Sequence, residues 1–346
     1  MTPREIILAN IEHTDPDRIG LTFDNGRVDD VLRCPTPAPK GYRQRRWIEG
    51  DREFYDDVYG NIWVRMREGC VKGEIHKPVL EDWTDLDNLD MPRYDSDALT
   101  AHFAEGFAHN PEQKFKLACI GGWIFDNARY LRKMEVYFMD MAMYPDELNR
   151  LHAMIGDVYE QRIHAGGKAG ADGIMIGEDM GTQQGLLFSP DMFREYFKPL
   201  YSRLMGIARD YGMKVMMHSC GQNWSIVDDL LDCGVQAFQF DQPALYDMPA
   251  LAAKLRDRKA ALWSPADIQK VLPTGDRNVI DRETRRMCEL FDGGLIAKNY
   301  PDLPGIGVKP EWDQWAYGVF LEYAGLAAES AEATPAPGST DIEGAN

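Results

Sequence analysis

The sequence predicts an α/β fold, a (β/α)8 TIM barrel with an aromatic-rich insertion after its first strand. Three observations predict it. From Lys114 onward, short apolar runs alternate with amphipathic helical patterns, and that alternation demands a parallel sheet with right-handed crossovers. No Gly-x-Gly-x-x-Gly follows any of these runs, which removes the usual dinucleotide-binding fold. Polar residues recur directly after nearly every run, as they do at the C-terminal mouth of a barrel.

The elements follow in chain order. Met1-Thr-Pro-Arg-Glu-Ile-Ile-Leu-Ala-Asn10 starts an amphipathic helix and lacks the layout of a signal peptide. Residues 18–23 read as the first strand, and Asp24-Asn25-Gly26-Arg27 is its polar exit. From about residue 35 to 92 the chain turns rich in charge and aromatics. There Tyr59-Gly60-Asn61, followed by residues 62–66 and 73–76, has the turn and alternation of a β-hairpin. Further strands are expected at residues 115–120, 173–177, 215–218, 237–240, 260–263 and 294–297. With the first these make seven, so the eighth is inferred or hidden in the insertion. Among the helices, Ser189 is a cap and Pro190 occupies the first helical position. Residues 1–326 are expected to form a single domain, and 327–346, which lack apolar periodicity, a disordered tail.

Composition sets the outer limits. A chain of 346 residues with 44% hydrophobic content can bury one barrel-sized core or two smaller ones. Its net charge of −18 argues against nucleic acid or an anionic membrane as the main partner, while leaving room for a local basic pocket. Six cysteines (Cys34, Cys70, Cys119, Cys220, Cys233 and Cys288) lie without framework spacing, which reads as reduced thiols in a cytoplasmic protein. No apolar run approaches membrane-spanning length.

The most informative stretch is Lys214-Val-Met-Met-His218-Ser-Cys220-Gly221. Side chains at i and i+2 of a strand share a face, so His218 and Cys220 can converge on one ion at the strand's C-terminal end. Nitrogen and sulfur are zinc ligands, and a catalytic zinc keeps one position open. The other strand exits supply Trp123, Asp126 and Arg129, then Glu178, Asp179 and Gln183, then Asp241 and Gln242, then Ser264 and Asp267, then Lys298 and Asn299. A barrel turns all of these toward one mouth. Glu178 or Asp179 can complete a metal site or act as general acid and base, because burial raises a carboxyl pKa and a neighbouring cation lowers it.

Asp-Met-Gly-Thr-Gln-Gln-Gly-Leu-Leu-Phe-Ser-Pro over 179–190 and His-Ser-Cys-Gly over 218–221 carry a family resemblance, with Tyr59-Gly-Asn-Ile-Trp and Leu80-Glu-Asp-Trp-Thr-Asp-Leu-Asp. Together they resemble the uroporphyrinogen decarboxylase superfamily in its methyltransferase-like branch, over nearly the whole chain to about Gly325. The resemblance implies the same barrel and two candidate chemistries. Its zinc-dependent methyltransferases move methyl groups between a corrinoid and a thiol, using a His-x-Cys and a later Cys, so it implies metal roles for His218 and Cys220. Where that later cysteine belongs, this chain has Ala297-Lys298-Asn299-Tyr300. Cys288 lies upstream in a helical stretch and Cys233 ends another helix, which leaves Glu178, Asp241 or water as the third ligand.

The expectation is therefore a zinc enzyme transferring a methyl group to or from a corrinoid protein or a methylated small molecule. Glu178 and Asp179 would be catalytic, with Glu178 also a ligand. Asp24, Arg27, Trp123, Arg129, Gln183, Asp241 and Lys298 would bind substrate, with Arg27, Arg129 and Lys298 neutralising an anion. One alternative is a metal-free decarboxylase of a tetrapyrrole or related carboxylate, in which Asp24 or Asp179 stabilises a protonated ring. The Arg-rich N-terminal segment of the decarboxylases is missing from residues 1–50, where Gly41-Tyr-Arg-Gln-Arg-Arg is only a basic cluster. The other alternative is a non-catalytic barrel that binds a corrinoid or tetrapyrrole protein. A homodimer is possible. The insertion, too long for a plain loop, is expected to cover the mouth as a lid or to form a dimer surface, its aromatics Trp47, Phe54, Tyr55, Tyr59 and Trp63 needing something to bury against; the alternative is a satellite cluster packed on the barrel's outer wall.

Overall fold

The computed structural model describes residues 1–68 and 73–326; the expected disordered tail and Cys70 lie outside the described residues. Among the described residues twelve strands divide between two sheets. The first contains β1 (Gly20–Thr22), β2 (Val31–Pro35), β7 (Phe115–Gly121), β8 (Gly173–Gly177), β9 (Lys214–His218), β10 (Ala237–Gln239), β11 (Ala261–Ser264) and β12 (Leu295–Lys298). Its order is β1-β12-β11-β10-β9-β8-β7-β2, and every pairing is parallel. At the seam between β1 and β2, the Asp30 N–H donates to the Leu21 carbonyl at 2.7 Å. Arg18 there grips the buried Asp30 carboxylate through two nitrogens, each at 2.7 Å. The result is a nearly closed (β/α)8 barrel.

The eighth strand is β2, at the leading edge of the expected insertion, so the insertion follows the second barrel strand and not the first. Its apolar signal is broken by Arg33, whose guanidinium reaches inward to within 5.9 Å of the Trp263 ring centroid. Outward-facing Cys34 packs so tightly on Gly106 of the helix Ser96–Ala108 that a Cβ there would lie 2.4 Å from its sulfur.

Alternation along each strand sorts the core into two layers. On β9, Val215 and Met217 join the outer layer against the helices, whereas Met216 joins the barrel interior. That interior also holds Val31, Phe115, Leu117, Ala237, Ala261, Trp263 and Ile296. The N-terminal helix Pro3–Glu12 plugs the end opposite the mouth, inserting Ile7 and Ile11, both 0% exposed. Burial of each such side chain stabilises by roughly 1.5–3 kcal/mol. The plug fits because Gly20 has no side chain; a Cβ there would stand 2.8 Å from Ile7 Cδ1. A capping box starts the helix, with Thr2 Oγ1 accepting from the Glu5 N–H and Glu5 from the Thr2 N–H. Ser189 and Pro190 open the helix Pro190–Tyr196 as the sequence predicts.

The insertion folds into an antiparallel sheet of β3 (Arg46–Glu49), β4 (Arg52–Asp56), β5 (Ile62–Met66) and β6 (Glu74–Lys77). Asp57 ties the β4–β5 turn, accepting from the N–H groups of Tyr59 and Asn61, from the Asn61 amide and from Trp63 Nε1. The sheet docks on the helix Ile124–Arg132, which leaves the C-terminal end of β7. Trp63 meets Tyr130 edge-on at 4.7 Å, and Leu80 exchanges hydrogen bonds with Leu131 and Arg132. It therefore sits on the mouth side of the barrel. Among the described residues no helix is long and apolar enough to cross a membrane.

Candidate metal centre

Strand parity turns His218, the last residue of β9, into the barrel, and the chain then bends sharply to bring Cys220 beside it. The bend needs Gly221, whose φ is +79° and whose Cβ would fall 2.2 Å from the Gly181 carbonyl oxygen. The loops after β8 and β9 are thus in backbone contact, fastened by Gln222 N–H to Thr182 C=O at 2.8 Å. The Gly221 N–H donates to Gln242 Oε1 at 3.0 Å, and the Asn223 amide donates to the carbonyls of Cys220 and Gly221. Cys220 is held before any ligand arrives.

His218 Nε2 and Cys220 Sγ stand 3.4 Å apart. Asp179 Oδ1 lies 3.5 Å from the same nitrogen and accepts the Cys220 N–H at 2.9 Å. The ligand atoms of Asp179, His218 and Cys220 all lie within 4.8 Å of one another. Zinc bond lengths of 2.0–2.1 Å to nitrogen or oxygen and 2.3 Å to sulfur, at tetrahedral angles, require N···S of about 3.5 Å and N···O of about 3.4 Å. The spacing and the N, O, S donor set fit zinc. On the far side of the ring, His218 Nδ1 is 4.0 Å from Asp241 Oδ2, while Asp241 Oδ1 accepts from Lys298 Nζ at 2.8 Å.

Electrostatics favour a cation here. Burial alone would lower the His218 pKa, but the Asp179 carboxylate, the Cys220 sulfur and the Asp241 charge outweigh it and push it up to about 10. Burial would raise that of Asp179, but its bonds to His218 and to the Cys220 N–H hold it well below the usual carboxylate range. A metal ion held here would take the place of the imidazolium proton.

Glu178 lies outside that group. It is 1% exposed, and its Oε2 accepts the Phe125 N–H at 2.8 Å at the start of the helix Ile124–Arg132. Burial, then the nearby Asp126 charge, raise its pKa well above the ordinary value. The carboxylate that stands beside His218 and Cys220 is that of Asp179 and not that of Glu178. Trp123 is not in the mouth either: its indole is fully buried between Tyr159 and Tyr201 in the helical layer, with centroids at 4.8 and 5.6 Å. Gln183 is exposed on the β8 exit loop. Asp24 pairs with Asn299 through Asn299 Nδ2 at 3.1 Å, and Arg27 with Asp313 at 2.7 Å. Arg129 binds Asp126 at 2.7 Å, and Asp126 also accepts the Asp179 N–H at 3.2 Å. Ser264 and Asp267 have local duties, Ser264 donating to the Phe240 carbonyl and Asp267 accepting the N–H groups of Gln269 and Lys270.

Two residues at this end of the barrel were not anticipated. Tyr130 accepts from Arg129 Nη2 at 3.2 Å and carries the Trp63 contact. Its spacing from Asp126, one helical turn, was the available signal. Asp313, in the first turn of the helix Pro310–Tyr323, gave none.

The sequence profile of the family described as Uroporphyrinogen decarboxylase (URO-D) matches residues 61–323. Among curated proteins none matches the chain. Of solved structures, a methyltransferase from Methanosarcina mazei is similar with a TM-score of 0.57 at 16% identity, covering 73% of this chain and 72% of that one. At this identity the likeness shows the shared barrel fold. A D-psicose 3-epimerase structure aligns with a TM-score of 0.40 at 10% identity, over 70% of this chain and 86% of that one.

Proposed function

The chain belongs to the uroporphyrinogen decarboxylase (URO-D) family and is an enzyme of that fold; from this premise we propose that it is a zinc-dependent methyltransferase whose ion is held by Asp179, His218 and Cys220. The supporting observation is the convergence of one nitrogen, one oxygen and one sulfur at tetrahedral spacing on adjoining strand exits. Zinc bound there would supply a Lewis acid and keep a coordinated substrate thiol ionised at neutral pH. Asp241, itself held by Lys298, stands 4.0 Å from His218 Nδ1 and adds a negative charge behind the ring. Glu178, its pKa raised by burial and by the nearby Asp126 charge, accepts the Phe125 N–H outside this trio. The methyl group would come from or go to a corrinoid protein or a methylated small molecule, under the cover of the β3–β6 sheet.

Elemental analysis of the purified full-length protein tests the reading. About one zinc per chain is expected, with most of it lost in Cys220→Ser, His218→Ala and Asp179→Asn and retained in Glu178→Gln. Absence of stoichiometric metal would favour the metal-free decarboxylase instead.

A further inference from the structure

Gln239 ends β10 as His218 ends β9, and the two are register partners; on its other side Gln239 pairs with Trp263 of β11. Ala237, two residues earlier, lies in the barrel interior, so strand parity turns the Gln239 side chain inward at the level of His218. Neighbouring strands run about 4.8 Å apart, which sets this side chain between the imidazole and the indole. Gln239 is 8% exposed. Its carbonyl accepts the Ser219 N–H at 3.2 Å, but among the described residues its amide has no hydrogen-bond partner. Neither amide atom is sealed off, and each keeps surface of its own at this end of the barrel. The other polar side chains that point inward here are engaged. Trp263 Nε1 donates to Thr22 Oγ1 at 2.7 Å, and Thr22 Oγ1 donates to the Ala297 carbonyl at 3.1 Å. Arg33 is bound to Asp29 at 2.6 Å and Lys298 to Asp241 at 2.8 Å. A primary amide offers two donors and an acceptor, and polar groups buried this far are normally paired.

We propose that Gln239 is a specificity-determining residue, whose amide takes a neutral hydrogen-bonding group of the substrate, an amide or a hydroxyl, beside the atom presented to His218 and Cys220. The inference deepens the reading above and rests on the mouth being the substrate site. Gln239 carries no charge and both gives and accepts hydrogen bonds, which matches a group that does the same. An analogue without that group would leave the buried amide unpaired, and this is how a site rejects a molecule of the right shape and the wrong chemistry.

Cys220 Sγ, 3.4 Å from His218 Nε2, is a reporter beside that amide. The full-length protein is alkylated with iodoacetamide and, separately, with 3-iodo-2-methylpropene, which has the same shape but a methylene and a methyl in place of the amide oxygen and nitrogen. Each rate at Cys220 is read by peptide mass spectrometry and divided by the rate with N-acetylcysteine. The ratio of the two quotients cancels the reactivity of the reagents and of the sulfur, so it reports recognition of the amide whether or not zinc is bound; zinc content of the same sample tests the metal reading separately. A preference for iodoacetamide of at least about threefold is expected, the effect of one neutral hydrogen bond. Gln239→Leu is expected to abolish the preference. Gln236→Leu makes the same change just before β10, where parity turns the side chain outward, and is expected to leave it intact. A substitution that only shifted Cys220 would change both rates together and leave the ratio as it was. Equal quotients in the unaltered protein would overturn the proposal and leave Gln239 to water, as would a preference that survives Gln239→Leu.

Discussion

At His152 burial decides a charge state without help from any carboxylate. The ring is 2% exposed, its Nε2 lies 3.0 Å from the Tyr137 hydroxyl, and burial lowers its pKa to about 3. Unfolded, the same imidazole titrates near pH 6.5. Between those values the unfolded chain binds one more proton here than the folded chain, so stability is complete above about pH 6.5 and falls as pH drops toward 3. The slope is at most about 1.4 kcal/mol per pH unit. Urea midpoints at pH 7 and pH 5 should show His152→Gln losing less stability on acidification than the parent; equal losses would refute the assignment. At His218, partly exposed, neighbouring anions reverse the sign. Parity along β9 made the His218 and Cys220 convergence legible. Glu178 and Asp179 looked equivalent only because parity was not carried past the end of β8. Ile174 and Ile176 face the helices and Met175 faces the interior; continuing that count turns Glu178 outward and Asp179 toward His218.

Among the elements, the β3–β6 sheet carries the largest functional expectation. Its hairpin from β5 to β6 was visible in the alternation after Tyr59-Gly60-Asn61, whereas β3 and β4 were not. Charges at Arg46, Glu49, Arg52 and Glu53 mask their pattern, although Gly50-Asp51 between them, with Gly50 at φ +63°, is a two-residue hairpin signal. β2 escaped for a related reason, since its inward face carries Arg33, a charge that belongs to the mouth and not to a core. The contact of Trp63 with Tyr130 links this sheet to the helix bearing Asp126 and Arg129. An aromatic pair of this kind is worth about 0.5–1.5 kcal/mol, too little to threaten the fold. If the sheet acts as a lid, Trp63→Ala should speed iodoacetamide alkylation of Cys220 severalfold while moving the thermal midpoint by only a few degrees. An unchanged alkylation rate would mean that the sheet merely packs on the rim.

For the molecule as a whole, the barrel separates two tasks by distance along its axis. The end plugged by Ile7 and Ile11 is dry and apolar, while the opposite end gathers charged side chains from seven of the eight strand exits and closes them into pairs. The alternation after Lys114 showed this architecture in the sequence, because burial on both faces of a parallel strand leaves an apolar run that charge cannot imitate. Pairings such as Arg27 with Asp313, 286 residues apart, had no local trace. Whether Asp179, His218 and Cys220 hold an ion is decided by the coordination shell of the purified protein. Of the five described cysteines, Cys220 is the one that joins Asp179 and His218. Zinc K-edge X-ray absorption should therefore show a single sulfur at about 2.3 Å with the remaining ligands nitrogen or oxygen at about 2.0–2.1 Å. A shell with two or more sulfurs, or protein that carries no stoichiometric zinc, would contradict the account.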